Sequence, residues 1–278
     1  MRILRVDSLP FHSIAYHCAA PGGGTMVAEL PLLIGWVDTL PAPLTALICT
    51  SDLQGISLPQ GDALPVRLLG EMVAEELLVM TELGMLPAPE QMGVLLAGDF
   101  YAAPQADQRG VSGDVRGVWH AMRRCGRWVT GVAGNHDQFA GSIENHPRVA
   151  MNDVHLLDGR ISVLDGLRIG GLGGIIGNPR KPMRRTEHDY MHTLATLLRS
   201  APDVVVMHES PAIPEIGRIG SLPVRKTLDL VGGMTIICGH CHWEQPLAIL
   251  TNETQILNVD GRVVILCVDT QVSLASRL

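Results

Sequence analysis

Aromatic side chains are scarce in this sequence, at 4% of 278 residues. A core built from it must therefore be packed with Leu, Val, Ile, Ala and Met. Positive charge is also short, with 21 Lys and Arg against 28 Asp and Glu and a net charge of −7. Proteins that track a phosphate backbone carry the opposite balance. No extended nucleic-acid surface is expected, although a local basic pocket is compatible with the composition. No apolar run approaches the roughly 20 residues that a membrane-spanning helix needs, so no membrane partner is expected. The first residues lack the basic and apolar pattern of a secretory signal, since Asp7, Pro10 and His12 interrupt it. The expected compartment is the cytoplasm. Six cysteines in a chain of this length make no disulfide scaffold. Several lie in apolar runs such as Leu47-Ile48-Cys49, where a thiol behaves as a small hydrophobe.

What the sequence does contain is a series of short, continuous apolar runs. Residues 44–50, 94–97, 128–133, 204–207 and 235–238 have the character of strands covered on both faces. Helices are expected over residues 66–83, where Gly84 provides a stop, over 114–124 and over 188–199. Residues 155–157, 161–164 and 167–170 are short strands separated by Asp158-Gly159 and Asp165-Gly166, and Asp260-Gly261 interrupts the tail. Asp-Gly pairs of this kind predict hairpin tips. No linker divides the chain. Residues 45–278 form the expected main domain, and residues 1–44 are an N-terminal extension packed on the sheet edge, with a strand over 26–37 broken at Pro31. A βαβ-like first half and a meandering second half predict two stacked sheets with helices outside.

Polar residues collect where these strands end. Asp52, Gln54, Asp99, Asn135, His208, His240 and His242 all follow expected buried strands, at the edge where open α/β sheets bind ligands. Two carboxylates, three imidazoles and two amides, with no thiolate among them, suit borderline divalent cations such as Mn, Fe, Zn or Ni. A pair of such ions about 3.5–4 Å apart can clamp a phosphoryl group. Each position also has an ordinary explanation. Asp52 and Asp99 could cap helices, His208 could be a satisfied histidine at a strand exit, and Gly134-Asn135-His136-Asp137 could be a surface turn in which Gly134 bends the chain. His240 and His242 are harder to dismiss, because a strand would send them to opposite faces while a tight loop lets both reach one site.

The ordered series Asp52-Leu53-Gln54, Gly98-Asp99, Gly134-Asn135-His136-Asp137, His208 and Gly239-His240-Cys241-His242 resembles the calcineurin-like metallophosphoesterase superfamily over about residues 44 to 265. The resemblance implies an α/β (α+β) fold, a four-layer αββα sandwich of two mixed β-sheets flanked by helices. It implies two divalent metal ions, one held by Asp52, Gln54, Asp99 and His242, the other by Asp99, Asn135, His208 and His240. It implies hydrolysis of a phosphomonoester or phosphodiester of a small phosphorylated substrate by metal-activated hydroxide. His136 would protonate the leaving oxygen or stabilise the charged transition state, held by Asp137. Gln54 stands where the family usually has His. An amide oxygen is a weaker ligand with a preference for harder cations, which favours Mn. Phe100-Tyr101 replaces the Arg-Gly continuation seen in protein Ser/Thr phosphatases and diadenosine tetraphosphatases, so neither assignment carries over.

Other chemistries are also written into the chain. Cys238-Gly239-His240-Cys241 has the spacing of a thiol-disulfide oxidoreductase centre, but Pro246 cuts short the helix that would stabilise its thiolate. A non-catalytic metal-binding scaffold of the same fold is a further alternative. The glycine run from 170 to 177 misses a dinucleotide fingerprint at Ile176 and precedes Asn178-Pro179, so a flexible loop near the site mouth is expected. Arg180, Lys181, Arg184 and Arg185 follow it, and could attract a phosphorylated substrate or form an exposed, solvated loop.

Overall fold

The computed structural model describes residues 1–58, 66–139 and 153–269. Among these, strand β4 (Ala46–Ser51) is buried at every position, and it lies inside the first of two large sheets. That sheet contains β1 (Ile3–Val6), β2 (His12–Ala19), β3 (Thr25–Val37), β4, β5 (Met92–Leu96), β7 (Trp128–Gly131), β9 (Val154–Leu156) and β18 (Arg262–Val268). Its order is β1-β3-β18-β4-β5-β7-β9, with β2 paired to β3. The second sheet runs β10-β11-β14-β15-β17-β16, from β10 (Arg160–Leu164), β11 (Leu167–Leu172), β14 (Val204–Met207), β15 (Thr235–Cys238), β17 (Gln255–Asn258) and β16 (Leu247–Ile249). Two small ribbons pair β6 (Gly113–Asp114) with β8 (Asp137–Gln138), and β12 (Ile175–Ile176) with β13 (Arg184–Arg185).

Alternation along the strands builds the layers. Leu47 and Cys49 of β4 pack with Leu95, Ile169, Val204, Val206, Ile237 and Leu257 in one cluster between the sheets. Ala46 and Ile48 point the other way, toward helices α1 (Leu69–Glu82) and α2 (Arg116–Arg123), where Val73, Leu77, Val118 and Trp119 cover Val94 and Leu96. On the far side, α3 (Glu187–Arg199) and α4 (Leu222–Asp229) bring Tyr190, Leu194, Val224 and Leu228 against Val205, Met207, Ile236 and Ile256. The result is the αββα sandwich. Thr186 and Ser221 cap α3 and α4 by accepting backbone N–H groups of Asp189 and Val224, and Gly84 follows α1 with φ +73°, as a left-handed helix stop requires.

Several expectations are corrected. β3 runs through Pro31 unbroken, paired to Ser13 of β2. β18 takes up pairing only at Leu32, so Pro31 lies on an edge where a missing N–H costs no ladder bond. Asp165-Gly166 is a hairpin tip, with both residues at positive φ. Asp158-Gly159 and Asp260-Gly261 are not. Each carries the chain from one sheet to the other, from β9 to β10 and from β17 to β18. The glycine run is a loop only in part, at Gly173, Gly174 and Gly177. Gly170 and Gly171 lie in β11, and a Cβ on them would meet Leu197 of α3 and Leu157 with Val132. Their small size lets a helix and the opposite sheet approach β11 closely.

Residues 1–44 supply β1, β2 and β3, and β3 pairs with β18 over Leu32–Val37. Ile3, Leu30, Leu32 and Val37 are buried there. Deleting residues 1–37 should therefore abolish the cooperative thermal transition in calorimetry, through loss of this packing and of the β18 ladder. A truncated chain that still melts cooperatively near the full-length temperature would contradict that assignment.

Candidate metal centre

β4, β5 and β7 are parallel and in register at Thr50, Leu96 and Gly131, so the chain leaves all three at one edge. β14 and β15 end together at Met207 and Cys238. The two edges meet. Asp52, Asp99 and His240, each just past a strand end, have φ of 55°, 60° and 68°. Left-handed backbone at non-glycine residues costs on the order of 1–3 kcal/mol each and persists only where the surroundings fix it. Gly134 is also required here, though not by a bend: a Cβ on it would overlap the Asp99 carboxylate.

Asp99 is 2% exposed. Its Oδ1 accepts the His136 N–H at 2.8 Å, and its Oδ2 accepts the Gln54 side-chain amide at 3.0 Å. His208 is fully buried, and its Nδ1 donates to the Ala97 carbonyl at 2.7 Å. That bond turns Nε2 toward Asp99 Oδ2, 3.3 Å away, but without hydrogen-bonding geometry, so Nε2 is a buried atom with no hydrogen-bond partner. The His240 ring lies 5.1 Å from that of His208, and its backbone N–H donates to Asp52 Oδ2 at 2.9 Å. One ligand atom from each of Asp99, His208 and His240 lies within 4.8 Å of the others, a group that could hold a metal ion.

Burial and mutual charge set the protonation of each member of this group. Burial opposes the charged form of Asp99, but the His208 ring and His136 outweigh it and hold the carboxyl below its usual range. Burial also opposes the His208 imidazolium, yet Asp99 and Asp52 lift it to about 10. Burial, with Asp260 and Asp99 nearby, pushes Asp52 well above the carboxylate range. Burial and the His208 charge depress His240 to about 4. In the chain alone, a proton on His208 serves as the cation that the carboxylates need. Besides His208 Nε2, the buried Asn135 Oδ1 has no hydrogen-bond partner. The His208 Nε2, which faces the Asp99 carboxylate, is a nitrogen donor that fits a divalent cation, and the unpartnered Asn135 amide oxygen, just past the end of β7, is a further candidate donor.

The other residues singled out in the sequence are placed as follows. Asp52, Gln54, Asp99, His136, His240 and His242 line one open cleft of about 550 Å³. Gln54 donates its side-chain amide to Asp99. His242 stands apart from the Asp99–His208–His240 group, its Nδ1 3.2 Å from the Asp260 carbonyl and its Nε2 3.1 Å from the Arg262 guanidinium. Asp137 does not hold the His136 ring. Its two oxygens accept the N–H groups of Asp99, Phe100 and Gly134 at 2.8–2.9 Å, because the residue lies beneath two strand ends whose amides have no other partner. Burial and Asp99 raise its carboxyl to about 6. His136 Nδ1 lies 3.4 Å from Ser112 Oγ, and burial, with Arg184 and His208 beside it, lowers its pKa.

None of the four cations at 180–185 lines the cleft. Arg185 is paired with Asp158, and Arg184 is near enough to depress His136. Burial raises the Cys238 thiol to about 12 and the Cys241 thiol to about 11, which disfavours the reactive thiolate of a redox centre. Asp260, Arg262, Arg109, Ser112, Tyr16 and Tyr101 were not anticipated as part of the site. Asp260 and Arg262 bracket a turn that reads as a hairpin tip, and Tyr16 belongs to the N-terminal strands, so no local pattern marks either. Among the described residues, no helix is long and apolar enough to cross a membrane.

No family model and no curated relative matches the chain. Among solved structures it is similar to a Staphylococcus aureus protein provisionally described as a 5'-nucleotidase, in complex with alpha-ketoglutarate. The two share 15% identity and a TM-score of 0.44 over 81% of this chain and 51% of that one. The chain thus spans about half the length of that protein. It is also similar to a hypothetical protein from Thermus thermophilus, with 16% identity and a TM-score of 0.43 over 77% of this chain and 75% of that one. Likenesses of this size assign no activity.

The folded-state pKa of His208, about 10, lies above the ordinary 6.5. A raised histidine stabilises the fold fully below its unfolded value, and that contribution is lost as pH rises through the folded one. The melting temperature of metal-free protein should therefore fall more between pH 6.5 and 10 than that of a His208→Asn variant, which isolates this group from thiols titrating in the same range. Mn²⁺ binding at neutral pH should release a proton, read by calorimetry in buffers of different ionisation enthalpy. Parallel melting curves and no proton release would contradict the assignment.

Proposed function

We propose that this chain is a metal-dependent phosphoesterase of the calcineurin-like type, hydrolysing a phosphomonoester or phosphodiester of a small substrate. The observation that carries the reading is the convergence of Asp99, His208 and His240 within 4.8 Å, from three strand ends on two sheets. Asp99, Asn135, His208 and His240 would hold one cation. Asp52, Gln54 and Asp99 would hold a second, with His242 joining once it turns from Asp260 and Arg262. When bound, such ions neutralise phosphoryl oxygens and acidify water. The absence of a thiolate and the presence of two amide oxygens favour Mn over Zn, with Fe and Ni also fitting the donors.

The chain's own residues supply positioning and proton management. Asp137 clamps the β5 and β7 ends, which sets the Asp99 carboxylate at a fixed height against His208. His136 borders the cleft without being part of the Asp99–His208–His240 group. Its lowered pKa favours a neutral ring at neutral pH, so it would stabilise the charge that builds on the leaving oxygen by donating a hydrogen bond, and would protonate that oxygen only from its imidazolium form. A protein that merely bound metal as a scaffold would have no use for such a group.

His136→Ala should keep its Mn²⁺ content and lose about 10²–10⁴-fold in kcat on phenyl phosphate, and much less on p-nitrophenyl phosphate, whose leaving group needs no proton. Equal losses on both esters, or none, would remove the role assigned to His136.

A further inference from the structure

The cleft has a second half that the coordination chemistry does not use. The loop after Asp99 and the strand β2 form its outer wall, contributing Tyr101, Gln108 and Arg109 from the loop and Tyr16 and Cys18 from the strand. This wall is built. Thr25 donates to the Gln105 carbonyl at 2.8 Å, joining the N-terminal ribbon to the loop. His17 and Ile56 exchange backbone hydrogen bonds at 2.9 and 3.0 Å. Ile56, Ala102 and Ala106 form a small apolar cluster beneath the loop. The Arg109 charge acts on Cys18, opposing the rise that burial gives its thiol, which places the guanidinium near the ribbon.

Among the described residues, Arg109 is the one Arg or Lys side chain lining this cleft. Among the described residues no hydrogen bond or ion pair engages it, whereas Arg116, Arg127, Arg185 and Arg225 are each taken by a carboxylate. Asp52, Asp99 and Asp260 line the same cleft, so the divalent cations proposed at the metal group would offset the negative charge of its inner half. A free guanidinium then stands at the outer half, with a planar fork suited to a phosphate or carboxylate.

We propose that Arg109 is a specificity-determining residue that binds a second anionic group on the substrate, beyond the phosphoryl group held at the Asp99–His208–His240 cluster. The preferred substrates are then phosphoesters carrying two separated anionic groups, with the ribbon and loop setting their spacing. This inference rests on the metal-centre reading above and adds the substrate class to it.

Non-hydrolysable ligands test it without relying on turnover. Alkane-α,ω-diphosphonates of increasing methylene length and the matching alkylphosphonates are titrated calorimetrically into the full-length Mn²⁺-loaded protein and its Arg109→Gln variant. At least one diphosphonate should bind the unaltered protein about tenfold or more tightly than its monophosphonate, and that preference should fall to about threefold or less in R109Q, as expected for loss of a charge-assisted contact. If no length is preferred, or if the preference survives in R109Q, Arg109 has no such role. If monophosphonate binding is the same with and without Mn²⁺, the metal-centre reading fails, and this inference fails with it. Mn²⁺-dependent binding together with an unchanged preference overturns only the role of Arg109.

Discussion

The Asp99 carboxylate lies where water barely reaches, 2% exposed, and a buried charge in that position must be compensated. Two sets of partners do this. The His136 N–H and the Gln54 amide occupy one lone pair on each oxygen, and the buried His208 ring faces Oδ2. The arrangement needs β5, β7 and β14 to end at the same place, and it needs Gly134 beside the carboxylate because any side chain there would overlap it. Both sheets are therefore committed to this meeting point. The sandwich packs its cores behind it, and the helices lie outside, away from the edge.

The strained backbone follows from the same constraint. Asp52, Asp99 and His240 hold left-handed conformations, which ordinary loops give to glycine. The Asp137 carboxylate supports the β5 and β7 ends by taking three backbone N–H groups, and the Asp52 carboxylate supports the β15 end through the His240 N–H. Carboxylates thus serve in two capacities, as bare charges facing the cleft and as staples beneath it. The staples and the ion-seeking groups are tied together, so the site is preorganised by the fold's own hydrogen bonds.

Much of this was legible in the sequence. Buried strands such as 204–207 and 235–238 announce themselves by unbroken apolar runs, and two stacked sheets with helices outside follow from a βαβ-like first half and a meandering second half. The polar residues after them sit where strand-end chemistry places them. What was not legible depends on partners distant in the chain. Asp158-Gly159 and Asp260-Gly261 have the composition of hairpin tips, yet the strands they join belong to different sheets, which no local pattern encodes. Asp137 reads as a partner of its neighbour His136 but serves Asp99 and Phe100 instead. Tyr16 and Arg109 share a cleft only because β2 pairs back over the sheet. His242 belongs to the coordinating series by position, but its ring is turned to Asp260 and Arg262.

The central claim is that side chains from both sheets converge to hold divalent cations. Anomalous diffraction at the manganese edge from crystals soaked in Mn²⁺ tests it most directly. The account predicts a strong anomalous peak within coordination distance of Asp99, His208 and His240, close to Asn135 Oδ1. A well-ordered crystal with Asp99 intact and no anomalous peak between those side chains would contradict it.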